Sequence, residues 1–285
     1  MKKEQKRKKR RRRAAALLVL AALLFAVFYQ GIVVRRYTVE SGKLAAGQGF
    51  RLVVVADLHS HIYGGDQQPL LRRIRRQKPH AILLAGDIYD HRVEPEGVRL
   101  LLEGIRDLAP VYYVTGNHEY WVGDMGKVLG LFEQYGVTVL DDRWETADFN
   151  GVEVVVAGVN DPVKAQFETY DPEGAMEHAF AGLPQEPFGL LLAHRPTWIE
   201  SYRRYPFDLV VSGHNHGGQV RIPFLCNGLV GPDEGLFPQY PGGVYRHGSL
   251  TQVVSRGLAV YWWLPRVCNP PELVVVDVQG AAGRG

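Results

Sequence analysis

The chain has 285 residues, 46% of them hydrophobic and 22% charged, a balance that excludes a disordered or fibrous protein and suffices for one large domain or two smaller ones. Its net charge of +3 hides an asymmetry: residues 1–36 carry 12 Lys/Arg and one Glu, giving +11, and the remainder carries 21 Lys/Arg against 29 Asp/Glu, giving −8, so the body of the chain is not that of a nucleic-acid binder. Two cysteines, Cys226 and Cys268, without a CxxC pair, exclude a thiolate zinc site and leave open whether they are bridged or free.

A basic segment, residues 1–13, is followed by AAALLVLAALLFAVFYQGIVV at 14–34. Twenty or so apolar residues suffice to cross a bilayer as a helix, and the ten Lys/Arg ahead of them place the N-terminus in the cytoplasm and the large domain outside. The sequence therefore predicts an uncleaved, single-pass transmembrane signal-anchor over 14–34. A cleaved signal peptide has a shorter apolar region and a small-residue cleavage site, for which RRYTVESG is poor; Arg12-Arg13 also admits a twin-arginine export reading.

Residues 35–50 read as a Gly/Ala-rich linker, and 51–280 as the folded domain. In chain order it brings apolar runs at 51–59, 79–87 and 110–119, each followed by a helical pattern, at 70–77, 98–108 and 126–136. A strand follows at 137–142, a hairpin at 148–161 through Asn150-Gly151, and strands at 189–196, 208–216 and 272–278. LLRRIRRQ at 70–77 gathers Leu70, Leu71 and Ile74 on one face and leaves its arginines as a solvated surface. Alternating strands and helices, with more strand than helix late in the chain, give an α/β domain with a mixed sheet.

Five of these apolar runs end the same way. VVVADLH ends in Asp57 and His59, ILLAGD in Asp87, YYVTGNH in Asn117 and His118, LLLAH in His194, and LVVSGHNH in His214 and His216. In open α/β sheets, ligand sites lie beyond the carboxyl ends of the strands, so five strand ends can aim these groups into one crevice. Turn preference explains the Asp and Asn residues but not histidine at four of the five ends. In an extended segment His214 and His216 would point the same way and His118 away from Asn117. Carboxylate, imidazole and carboxamide without thiolate suit manganese, iron or zinc rather than calcium. Seven donors exceed one tetrahedral site and fit two divalent or trivalent ions sharing a bridging carboxylate, an arrangement that clamps both oxygens of a phosphoryl displacement.

The ordered blocks DLH, GDIYD, GNHE, a later His and GHNH resemble the calcineurin-like metallophosphoesterase family over about residues 51–220. The continuation GHNHGGQVRIP, with GLFPQYPGGVY and VSRGL, resembles its bacterial membrane-associated branch. The resemblance implies a mixed two-sheet sandwich flanked by helices. It implies Asp57, His59 and His216 on a first metal, Asn117, His194 and His214 on a second, and Asp87 bridging them. It also implies His118 as the general acid and Asp90 as the group that orients it and holds it charged, with Glu119 structural. Two departures stand out: His91 occupies the position at which the family's protein phosphatases carry Arg, which weighs against a phosphoprotein substrate, and His61 adds an imidazole two residues past a ligand.

The function expected is a membrane-anchored, two-metal phosphoesterase that hydrolyses a phosphomonoester or phosphodiester by attack of metal-bound hydroxide. The anchor points to a substrate drawn from lipid headgroups or an envelope polymer, and the glycine-, proline- and aromatic-rich loop 223–245 to a role in shaping the pocket. The alternatives are a metal-stabilised, non-catalytic scaffold of the same fold, which would have no need of His118 and Asp90, and an intracellular nuclease, disfavoured by the charge of the body and the topology.

Overall fold

The computed structural model describes residues 2–261 and 263–281. Its strands run β1 Val33–Ser41, β2 Gly49–Val55, β3 Ala81–Ala85, β4 Val111–Val114, β5 Thr138–Val139, β6 Arg143–Phe149 and β7 Val152–Gly158. They continue with β8 Phe188–Leu192, β9 Leu209–Ser212, β10 Val230–Gly231, β11 Gly235–Leu236, β12 Gly243–His247, β13 Leu250–Val254 and β14 Glu272–Gly280. Two six-stranded mixed sheets form, in the orders β1-β14-β2-β3-β4-β5 and β12-β13-β9-β8-β7-β6, with a two-stranded β10-β11 ribbon apart from them.

Side-chain alternation builds three apolar layers from the two sheets. Leu52 and Val54 of β2, Leu83 of β3, Val154 and Val156 of β7, Leu190 and Leu192 of β8 and Val211 of β9 meet between the sheets. Val53, Val55, Ile82 and Leu84 face the other way and pack on Leu70, Leu71, Ile74, Leu101 and Leu102 from the helices Gln68–Gln77 and Glu96–Ile105. Val155, Leu191 and Val210 cover the outer side of the second sheet with Met176, Phe180 and Tyr202. Strands buried on both faces explain why the runs read as continuously apolar rather than alternating. Asn150 and Gly151 both take positive φ, as the predicted hairpin turn requires.

The N-terminal third departs from expectation. The helix spans Lys2–Val27, and no helix among the described residues is long and apolar enough to cross a membrane. Within 14–34 only residues 14–27 are helical; Gly31 interrupts the run, and Val33 and Val34 already pair with Glu272 and Leu273 in β1. The expected linker 35–50 is likewise largely ordered as β1 and the start of β2. Alternation in VVRRYTVES was masked by its two arginines: Arg36 is drawn to Asp277 at 3.2 Å and to Gln77, while Val39 and Ser41 turn inward. The folded domain therefore begins at Val33. Cys226 and Cys268 are free thiols.

Candidate metal centre

Parallel pairing sets the strand ends side by side. Val55 lies opposite Leu84, Leu84 opposite Tyr113, Gly158 opposite Leu192 and Leu192 opposite Val211, so the segments that follow β2, β3, β4, β7, β8 and β9 open at one end of the sandwich. There the backbone turns sharply: Asp57, His59, Asp87, His214 and His216 all have φ between 46° and 72°. Five non-glycine residues in the left-handed region, gathered at one site, mark strain held by the surrounding fold. Gly116 is required beside them, since a Cβ there would fall 2.3 Å from Asp87 Oδ1.

Asp57, His59, Asp87 and His216 form one group, and Asp87, His194 and His214 a second, each with donor atoms within 4.8 Å of one another. Asp87 is common to both. Its Oδ2 stands 3.7 Å from His59 Nε2 and 3.3 Å from His194 Nε2, and its Oδ1 accepts the backbone N–H of His118 at 2.9 Å. His59 Nε2 faces His216 Nε2 at 3.3 Å. His194 hydrogen-bonds Ala85 O through Nδ1 at 2.8 Å, which makes Nε2 the nitrogen available to a metal once it is deprotonated. Asp57 Oδ1 accepts the His214 N–H at 2.9 Å while Asp57 Oδ2 is buried without a hydrogen-bond partner, as is Asn117 Oδ1. Buried acceptors left unpaired beside converging imidazole nitrogens are the signature expected of cation ligands, and the donor set fits two metal ions.

Electrostatics agree. Burial pushes the Asp57 carboxyl up. Burial raises Asp87 too, but the charges of His194 and His59 and the His194 hydrogen bond outweigh it and hold Asp87 well below the usual carboxylate range. Burial and the neighbouring His59 hold His216 neutral, as a ligand must be. Burial lowers His194, yet the adjacent Asp87 carries it up to about 10.

The structure thus brings Asp57, His59, Asp87, His194, His214 and His216 together, with Asn117 buried at the neighbouring strand end. Two local expectations are corrected. Neither Asn117-His118 nor His214-Asn215-His216 is extended: Asn117 opens the short helix Asn117–Trp121, and His216 starts a 3₁₀ turn through Gly218. Helical rotation, not strand alternation, separates Asn117 from His118, and His214 and His216 diverge into different groups.

His118 Nδ1 and His59 Nδ1 each lie 3.0 Å from Asp90 Oδ2. Burial lowers the His118 pKa, but the adjacent Asp90 and the charge of Asp87 raise it above the ordinary value overall. Glu119 accepts the backbone N–H groups of Asp87, Ile88, Tyr89 and Gly116, so it shapes the GDIYD and GNH turns. His61 joins no donor group among the described residues and packs edge-on against Tyr63. His91 lies 3.5 Å from Asp90 Oδ1, with its ring tilted against that of His118 and edge-on to Trp121.

The chain matches the model of the calcineurin-like phosphoesterase family over residues 50–218. The chain belongs to the calcineurin-like phosphoesterase family. The family is one of phosphoesterases, and the donor groups just described are this chain's candidate metal ligands. It is 27% identical over 254 residues to an uncharacterized metallophosphoesterase of Helicobacter pylori, covering 86% of this chain and 64% of that protein. It is 29% identical over 206 residues to the phosphodiesterase YaeI of Escherichia coli, 71% of each chain. Among solved structures, the NAD nucleotidase of Haemophilus influenzae shares the fold at a TM-score of 0.52, with 14% identity over 75% of this chain and 46% of that one.

Sequence reasoning missed several residues of this calcineurin-like site. Asp233 Oδ2 lies 2.8 Å from His214 Nε2 and is paired with Arg195, which is held in turn by the buried Asp161 at 2.7 Å. Asp161 follows β7 as the sixth polar strand end, in VVVAGVND, a signal obscured by reading that segment only as a hairpin. Asn269 donates to His216 O at 2.8 Å, and Tyr261 sets its ring 5.8 Å from that of His59; both come from sequence far from any block.

Proposed function

We propose that the chain hydrolyses a phosphodiester, with a monoester as the second substrate type, at a membrane to which its N-terminal helix anchors it, catalytic domain outside. The observation that carries the reading is Asp87 Oδ2 standing between His59 Nε2 and His194 Nε2, with the His118–Asp90 pair beside it. Asp57, His59 and His216 would hold one metal, and Asn117, His194 and His214 the other, with Asp87 between. Manganese, iron and zinc suit these donors. When bound, the two ions supply positive charge for the phosphoryl oxygens and acidify water for attack at neutral pH.

The chain's own residues do the rest. Asp90 Oδ2 stands 3.0 Å from Nδ1 of His118 and its charge favours the imidazolium, so Nε2 is the nitrogen that delivers a proton to the departing alkoxide. Arg92 and His118 line the same cavity of about 500 Å³, where the guanidinium is placed to pair with a phosphate oxygen. The similarity to a protein named as a phosphodiesterase supports the diester reading. The topology rests on the basic half of the helix preceding its apolar half.

The test is metal analysis of the full-length chain with turnover on aryl diesters, aryl monoesters and alkyl diesters under manganese, iron and zinc. Metal-dependent hydrolysis, with aryl diesters fastest and lost together with metal in Asp87→Asn, is the expected result. A metal-replete chain that cleaves no ester of the panel would overturn it.

A further inference from the structure

The cavity beside the metal donors is also lined by apolar side chains. Val93, Val220, Val230, Trp263 and Leu264 line it together with His59, His118 and His216. Beyond its lip the chain displays Ile222, Phe224, Leu225, Leu236 and Phe237 to solvent, Phe224 fully and Leu225 at 85% exposure. A soluble surface rarely gathers so many large apolar side chains, and where it does they mark an interaction site.

The occupant is indicated by what adjoins the patch. Val220 bridges to Val267, Arg221 N–H donates to Val267 O at 2.9 Å, and Cys268 N–H donates to Val27 O at 2.7 Å. Gln30 Nε2 donates to Arg266 O at 2.9 Å. The C-terminal end of the apolar helix is thus tied to the segment 266–268, which bridges to the start of the exposed loop, and the same loop walls the cavity at Val230 and Pro232. Leu17, Leu18, Leu20, Leu23 and Phe25 are exposed on that helix. Its helical apolar part, residues 14–27, covers only about 21 Å at ~1.5 Å per residue, against about 30 Å of bilayer hydrocarbon. A short apolar segment is accommodated by drawing its flanks into the membrane, and here the flank is the folded domain at the lip of the cavity.

We infer that the loop Ile222–Phe237, with Trp263 and Leu264, seats in the lipid surface, so that the metal centre opens at the headgroup plane and admits phosphoesters that carry an apolar tail. This deepens the proposed function and rests on its membrane anchorage. Donor groups and apolar side chains line the same cavity, as an amphiphilic ester requires, and Arg92, which also lines it, is exposed.

The test uses the full-length chain reconstituted in phosphatidylcholine–phosphatidylglycerol vesicles. An environment-sensitive fluorophore is attached at Phe224→Cys or, as the control, Glu153→Cys, each in a Cys226→Ser/Cys268→Ser background. Glu153 is exposed beside the Asn150-Gly151 turn, which leans on Gly49 at the amino end of β2, the end away from the donors. Lipids brominated in the acyl chains should quench the Phe224 position at least twofold more than the control. Equal quenching at the two positions overturns the seating. A blue shift at Phe224→Cys that persists in lipid-free nanomolar-detergent solution with a doubled particle mass assigns the patch to a second copy of the chain and also overturns it. In a second arm, F224E/L225E should lower turnover on a long-chain phosphodiester in vesicles at least tenfold relative to turnover on a soluble aryl diester. An unchanged ratio counts against the tailed substrate. Quenching without any metal-dependent turnover in the parent protein would leave the seating standing and remove the hydrolase reading, so the two fail separately.

Discussion

Asp90 holds Nδ1 of His118 at 3.0 Å from its Oδ2. The same oxygen lies 3.0 Å from Nδ1 of His59, so one carboxylate would serve both the proposed proton donor and a proposed metal ligand. Asp90→Asn should therefore have two effects. The carboxylate raises the His118 pKa, so its removal should shift the alkaline limb of the pH–rate profile on alkyl diesters to lower pH. The stabilising interaction of Asp90 with charged His118 is fully present below the ordinary histidine pKa of about 6.5 and fades as pH rises through the raised folded value. Loss of the outer partner of His59 should also weaken metal binding about 10–100-fold. A variant whose pH profile and metal affinity both match the parent's would show that Asp90 does neither job.

His118→Asn should retain the parent's metal content, because its ring faces Asp90 and it meets Asp87 through its backbone N–H. Turnover on alkyl diesters should fall by about 10²–10⁴-fold, the usual worth of a positioned general acid, and far less on nitrophenyl esters, whose leaving group needs no proton. The slope of log rate against leaving-group pKa measures this directly; an unaltered slope would remove His118 from the proton-transfer step.

The donor groups were legible because β2, β3, β4, β8 and β9 are short, doubly buried strands whose apolar runs end at the same level. What could not be read is how the backbone behaves past each end. Positive φ at His214 and His216 sends the two rings into different groups, which no spacing rule reports. β1 was hidden for another reason: it is an edge strand in which Arg35 and Arg36, on opposite faces, are both exposed, so its pattern merged with the basic flank of the apolar helix. Asp233 and Asn269 act from loops brought in by long-range closure, and local sequence holds no trace of that.

Glu119 should prove structural. Its fully buried carboxylate receives four backbone N–H groups. Glutamine keeps the volume but loses the charge and turns one acceptor into a donor. Glu119→Gln should cost about 3 kcal/mol, by unpairing buried donors, and so lower the melting temperature by roughly 6–12 °C for a domain of this size. A melting temperature within a degree of the parent's would contradict that assignment.

Asp233→Ala removes the carboxylate 2.8 Å from His214 Nε2 and leaves Arg195 with Asp161 as its partner. The fold should be unaffected, since Asp233 sits on an exposed loop. Metal affinity should fall about 10–100-fold at the site that includes His214, the range for lost outer-shell partners, and leave the site of Asp57, His59 and His216 nearly unchanged. Stepwise metal titration of the metal-free chain resolves the two; equal weakening of both, or of neither, would contradict the assignment.

Metal uptake should be coupled to proton release. With Asp87 beside it, His194 has a pKa of about 10 in the metal-free protein, so at pH 7 its Nε2 is protonated, while a metal requires it bare. Binding at the second group must then expel that proton, and His216, already neutral, contributes none at the first. Each proton displaced makes affinity rise about tenfold per pH unit below the pKa of the group that loses it. Between pH 6 and 8 the affinity of the second group should thus climb about 100-fold, and the first group should change less. Calorimetric titration in buffers of different ionisation enthalpy counts the protons released at each step. A second step that releases none at pH 7 would mean that His194 is neutral before the metal arrives, and that Asp87 does not hold the charge balance of the centre.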